Sequence, residues 1–227
     1  MQTFKRLGLI LCLAGTAPVA HGQTVQNAAL DPGTAQVLGP VVRAANAEFR
    51  RMPVVILTSR LDALCGGGTV ASLLVRYCTD LNTIFVPQGL VARAGGPDHA
   101  RYVLAHAYGH AAQVRHGVAD LALAAIRRAP AAQEGALRAA VTRQVECVAG
   151  VVLVRATVGE VPALGDLYAV EPMQDAHWGR TPLAMGPKVS IGLEARAQWL
   201  RIGATQGLDA CAVGPIPVAP LLAGRAF

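Results

Sequence analysis

Aromatic residues make up 4% of this 227-residue chain, while apolar residues reach 53% overall. A core must therefore be assembled from alanine, valine and leucine, and the length suffices for one well-buried domain. Lysine is scarce too. The 20 basic residues are almost all arginines, and beyond Lys5-Arg6 only Arg50-Arg51 and Arg127-Arg128 are adjacent. With no clustered stripe and no interleaved aromatics, the sequence carries no nucleic-acid footprint, and the arginines read as a solvated surface. No apolar run approaches the roughly 20 residues of a spanning helix. The glycine-rich Cys65-Gly66-Gly67-Gly68 lacks the lysine of a P-loop and reads as a connector. The absence of a G-x-S-x-G elbow discounts Ser190, Thr142 and His177 as serine-hydrolase groups. Nor does any C-x-x-C spacing support a cysteine metal site.

What is present begins with a leader. Lys5 and Arg6 form a basic start, Leu7 to Ala14 an apolar stretch and Ala20-His21-Gly22 a small-residue cleavage site, so residues 1–22 are read as a signal peptide. The expected mature protein is periplasmic or secreted, with no stable membrane span after cleavage. Removing the leader lowers the net charge from +6 to +4. It leaves Cys65, Cys78, Cys147 and Cys211, an even number that predicts two disulfides with three possible pairings.

Residues 23–33 read as a flexible arm. Apolar spacing predicts a helix over 34–51, with a possible kink at Gly39-Pro40. Three short apolar or β-branched runs follow (Val54 to Leu57, Leu73 to Val75, Thr83 to Val86), separated by turn residues and expected as a small antiparallel sheet. Helices are predicted from Pro97 to about His116, over Val118 to Arg128, from Ala131 to Ala156, around 164–170 and from Leu193 to Ile202. The proline-rich tail, 214–227, is assigned no regular structure. His99 is read as a surface histidine, and His177-Trp178 as a loop anchored by its tryptophan.

The helix predicted from Pro97 to about His116 carries His106 and His110. Residues four apart lie about 40° apart around a helix and about 6 Å along it, so both imidazoles can reach one ion. The zinc-protease pattern H-E-x-x-H uses this geometry, with its glutamate as general base. Here Ala107 stands in that place, and a methyl group can neither accept a proton nor orient water. Tyr108 beside it is read as packing.

Several ordered segments resemble the bacterial putative neutral zinc metallopeptidase family, whose exported domain is zincin-like. They are Cys65 to Gly68 with Tyr77 to Val86, Val103 to Val114, Thr142 to Val151, Glu194 to Trp199, and Asp209 to Cys211. The resemblance covers most of the mature chain and implies the pairs Cys65–Cys78 and Cys147–Cys211. It also locates the departures. Ala107 replaces the general base, Thr142 stands where the presumed third zinc ligand would be, Glu146 replaces an aspartate one turn on, and Ser190 falls where many members have a histidine. His106, Gly109, His110, Gln144, Ala149, Gly150 and the cysteines are kept.

The expectation is an α+β, zincin-like domain over 34–213, mostly helical with a small antiparallel sheet. Its expected role is that of an inactive pseudopeptidase, binding a peptide or protein in the former cleft or serving structurally, without nucleic acid. The alternative is a slow zinc-dependent peptidase or hydrolase with His106, His110 and Glu146 as ligands. Against both stands the reading of His106 and His110 as a satisfied pair inherited with the helix, hydrogen-bonded by Glu146 in a metal-free site.

Overall fold

The computed structural model describes residues 30–59, 75–157, 160–181 and 185–226, with backbone only for 177, 178 and 185. Residues 1–22, read from the sequence as a signal peptide, and Cys65 lie outside the described residues.

Helix α1 (Pro32–Glu48) starts two residues earlier than its apolar spacing predicts. Asp31 caps it by accepting from the Thr34 N–H at 3.0 Å, and Pro32 occupies a first-turn position where no donor is lost. The expected arm therefore ends before Asp31. The helix continues past Pro40 to Glu48.

Strands β1 (Val54–Thr58), β2 (Arg76–Cys78) and β3 (Thr83–Pro87) form a sheet in the order β1-β3-β2. The expected antiparallel sheet is corrected to a mixed one: β2 pairs antiparallel with β3, but β1 runs parallel to it, with Val54 opposite Thr83. The cause is connection length. A four-residue turn closes β2 onto β3, with Asn82 at φ 45°, whereas the long segment between β1 and β2 allows the crossover that parallel pairing requires. Central β3 is buried at all five positions, which explains its unbroken apolar run.

The helices α2 (Leu90–Ala94), α3 (Pro97–Arg115), α4 (Val118–Arg128), α5 (Ala131–Ala156), α6 (Leu164–Leu167) and α7 (Leu193–Gln206) follow. A 3-10 turn (Leu208–Cys211) and α8 (Ala219–Ala223) complete the chain, so the tail is not irregular throughout: Pro220 lies in the first turn of α8, and Arg225 bridges to Phe49. Strands β4 (Asp175–Trp178) and β5 (Met185–Val189) form a second antiparallel pair that apolar patterning did not reveal. Gly186 and Pro187 in β5 are residues depleted from strand interiors. Among the described residues no helix is long and apolar enough to cross a membrane.

Helix α5 is the axis of the fold, packed against α3 on one side and α7 on the other. Backbones touch at three glycines. A Cβ on Gly109 of α3 would lie 2.6 Å from the Val145 carbonyl oxygen, one on Gly150 2.0 Å from that of Leu200, and one on Gly203 1.8 Å from that of Cys147. Gly109, between the two histidines, thus lets α3 settle close against the part of α5 that carries Glu146. Gln144 reinforces the arrangement. Its amide donates to the Cys211 and Pro217 carbonyls at 2.9 and 3.1 Å, and it accepts from Gln113 at 2.9 Å. The Cys147–Cys211 disulfide clamps α5 to the 3-10 turn. Cys78 is disulfide-bonded as well; Cys65, its expected partner, is outside the described residues.

Candidate functional site

His106 and His110 share one face of α3, and β4 brings Asp175 onto that face. Asp175 Oδ1 lies 2.8 Å from His106 Nε2 and 3.4 Å from His110 Nε2, and the two Nε2 atoms are 3.2 Å apart. These three ligand atoms could hold a metal ion. His106 and Asp175 are buried, while the His110 side chain keeps 24% of its exposure. The cluster opens toward solvent at His110.

Glu146 occupies the other edge of the His106 ring. Its Oε1 is 3.1 Å from Nδ1, and it also accepts from the Tyr102 hydroxyl at 3.1 Å. Glu146 is fully buried, yet it belongs to the surroundings of His106 and not to the three converging ligand atoms. The expected set of His106, His110 and Glu146 is thus rearranged: Asp175 converges with the histidines, and Glu146 orients one of them. Outer carboxylates of this kind fix the tautomer and ring orientation of metal-binding histidines. With Nδ1–H donating to Glu146, a neutral His106 turns a lone pair toward Asp175. Two acceptors then face each other at 2.8 Å, a contact that needs either a second ring proton or a cation between them.

Arg196 of α7 joins the carboxylates. Its guanidinium donates to Glu146 Oε1, to Glu171 Oε1 at 2.7 Å, to the Met173 carbonyl at 2.9 Å and to Asp175 Oδ2 at 3.4 Å, with its side chain fully buried. Two buried carboxyl groups, Glu146 and Asp175, and the partly exposed Glu171 thus converge on a single guanidinium, an acidic excess that is costly where it is buried. A divalent cation would cancel it. Without one, the field falls on His106: burial lowers its pKa, but Asp175 and Glu146 outweigh burial and raise it to about 9. Burial also acts to raise the pKa of Asp175, yet His106 and His110 hold it well below the ordinary carboxylate range.

The other sequence candidates lie elsewhere. Ala107 is buried on the same helix with no titratable atom, and Thr142 is fully buried on α5. Tyr108 is buried, its hydroxyl 3.5 Å from the Pro53 carbonyl, which bears out packing. Ser190 donates to Glu171, which in turn holds Arg196. His99 is half-buried, pinned 2.8 Å from the Leu167 carbonyl and edge-on to Tyr168, so it is not a free surface histidine. The His177 and Trp178 side chains lie outside the described part. Asp175 was missed because no spacing ties it to the helix. Arg196 sat within a recognised segment, but its role as counter-ion appears only in three dimensions.

No protein-family model matches the chain, and neither a curated protein nor a solved structure shows significant similarity to it.

Proposed function

We propose that the chain is an exported, metallopeptidase-like protein that binds zinc through His106, His110 and Asp175 and has lost efficient peptide cleavage. The observation that carries this is the triangle of ligand atoms, with sides of 2.8, 3.2 and 3.4 Å. Ligands around tetrahedral zinc, with bonds of about 2.0–2.1 Å, stand roughly 3.3 Å apart. Two imidazoles and one carboxylate are also a donor set that zinc accepts, and three protein ligands are the number found where one position stays open.

Zinc bound there supplies a Lewis acid that polarises a carbonyl and acidifies water. The chain's own residues do the rest. Glu146 keeps the Nδ1 proton of His106 and so presents Nε2 as a ligand, Arg196 holds Glu146 and Asp175 apart from solvent, and the partly exposed His110 marks the accessible side. No side chain at position 107 takes up a proton during attack on a peptide. A positioned base is worth about 10² to 10⁴ in rate, so the expected role is to hold a peptide or protein segment beside the metal. Asp175 gives the second reading, slow zinc-dependent hydrolysis, more support than a two-histidine site would.

The test is zinc content and affinity of the oxidised full chain beside the His110→Ala and Asp175→Ala variants. One tightly held zinc, lost in both, is expected. Zinc retained without Asp175 would refute the ligand set, and a wild-type chain that takes no zinc would refute the reading altogether.

A further inference from the structure

Away from the histidine cluster, the turn between α1 and β1 meets the C-terminal end of α3. Arg50 and Arg51 from the turn, with Arg115 and His116 from α3, line a groove of about 450 Å³ whose remaining wall comes from the α8 region, including Pro220 and Gly224. No acidic residue lines it. Glu48, two residues before Arg50, is engaged by Arg225 at 2.9 Å and by Arg155 at 2.6 Å and leaves the groove's charge uncancelled.

Two polar atoms here are buried without a hydrogen-bond partner among the described residues: Arg115 Nε and His116 Nε2. A buried guanidinium nitrogen without an acceptor is costly, and both side chains line the groove. One cation at the end of α3 is accounted for by the helix dipole; three arginines converging on one groove are not, and burial together with Arg50, Arg115 and Arg51 lowers the pKa of His116 between them. The groove is also built to shape. Gly224 approaches His116 so closely that a Cβ there would lie 2.2 Å from Nδ1, and His116 packs on Phe49 with ring centroids 5.7 Å apart. Arg51 holds φ 61°, a left-handed conformation that non-glycine residues adopt at a cost and often at binding sites. Arg50 donates to the Ala223 carbonyl, tying the turn to α8.

We propose that this groove binds a phosphate group, either inorganic phosphate or the phosphate of a small monoester. Guanidinium forks match its oxygens in pairs, and its double charge suits three arginines. The site is independent of the metal reading, since it shares no residue with the His106 cluster.

The experiment is calorimetric titration of inorganic phosphate, and separately of glycerol phosphate, into the full chain kept metal-free with chelator, at fixed ionic strength set with chloride. Saturable binding of one phosphate is expected. The charge-assisted bonds lost in Arg51→Gln and in Arg115→Gln should each weaken it by roughly tenfold or more, while His110→Ala binds as the wild type does. Arg51 is exposed, so its variant tests the groove even if the Arg115 variant fails to fold. Stronger binding of glycerol phosphate would identify a monoester as the ligand, and stronger binding of inorganic phosphate the free ion. Absence of saturable binding, equal binding by wild type and Arg51→Gln, or loss in His110→Ala alone would each overturn the proposal.

Discussion

His106 and Asp175, 69 residues apart in sequence, meet with Nε2 and Oδ1 separated by 2.8 Å, while Glu146 holds the opposite ring nitrogen at 3.1 Å. A histidine between two buried carboxylates is poised either to keep both protons or to exchange one for a metal ion.

With the proposed ligand set, that exchange would make zinc binding depend on pH. In the metal-free chain His106 has its pKa raised to about 9, so near neutrality zinc must displace a proton. Affinity should rise by about tenfold per pH unit while His106 is the protonated group, and flatten above about 9. Competition titrations across that range check this. An affinity independent of pH would show that His106 does not lose a proton on binding.

The same shift sets stability without metal. A folded pKa of about 9 lies above the ordinary value near 6.5, so the folded state binds the proton more tightly. The stabilisation is complete below about 6.5 and is lost as pH rises to about 9, an effect of roughly 3 kcal/mol by linkage. Asp175, with its pKa lowered, acts in the opposite sense: its contribution is present above the ordinary carboxylate value and disappears on acidification. Melting in chelator should therefore fall between neutral and mildly alkaline pH. In His106→Ala this loss should vanish.

Glu146→Gln separates an orienting residue from a ligand. The amide still faces Nδ1 but no longer carries charge, and outer partners of this kind typically cost about 10- to 100-fold in metal affinity when changed. Zinc should remain detectable in this variant and be absent in Asp175→Ala. The reverse order would restore Glu146 as the ligand.

Ala107→Glu returns a proton acceptor to the helix position where a zinc peptidase carries one. A gain of about 10² or more in peptide hydrolysis over a slow or undetectable wild type is the expected result, measured with zinc-loaded protein. A wild type that already cleaves rapidly would mean that another group serves as base.

The glycine contacts and the disulfide predict where the scaffold fails. Gly203→Ala places a methyl group against the Cys147 carbonyl, overpacking that costs about 1–3 kcal/mol or more and should lower Tm by several degrees. Replacing Cys147 and Cys211 with alanine opens a link between residues 64 apart, for which loop entropy gives about 4 kcal/mol. Thermal melts with and without reductant measure both.

Helices α3, α4 and α5 were legible because apolar spacing, glycine stops and the break at Pro130 act over a few residues. The His106/His110 pair was legible for the same reason, since a helix fixes the relation between positions four apart. Tertiary structure decided what no local pattern carries. The parallel pairing of β1 with β3 depends on a long crossover, and β5 holds glycine and proline where strands usually lack them. Asp175 becomes a candidate ligand only because β4 sets its carboxylate against His106 and His110 of α3, and Glu146 an orienting group only because Gly109 brings α3 close to α5. Arg50 and Arg51 read as solvated surface until the fold set them beside Arg115 and His116. Short-range periodicity records which face of an element is buried, but the partner that reaches that face is chosen by packing between distant segments.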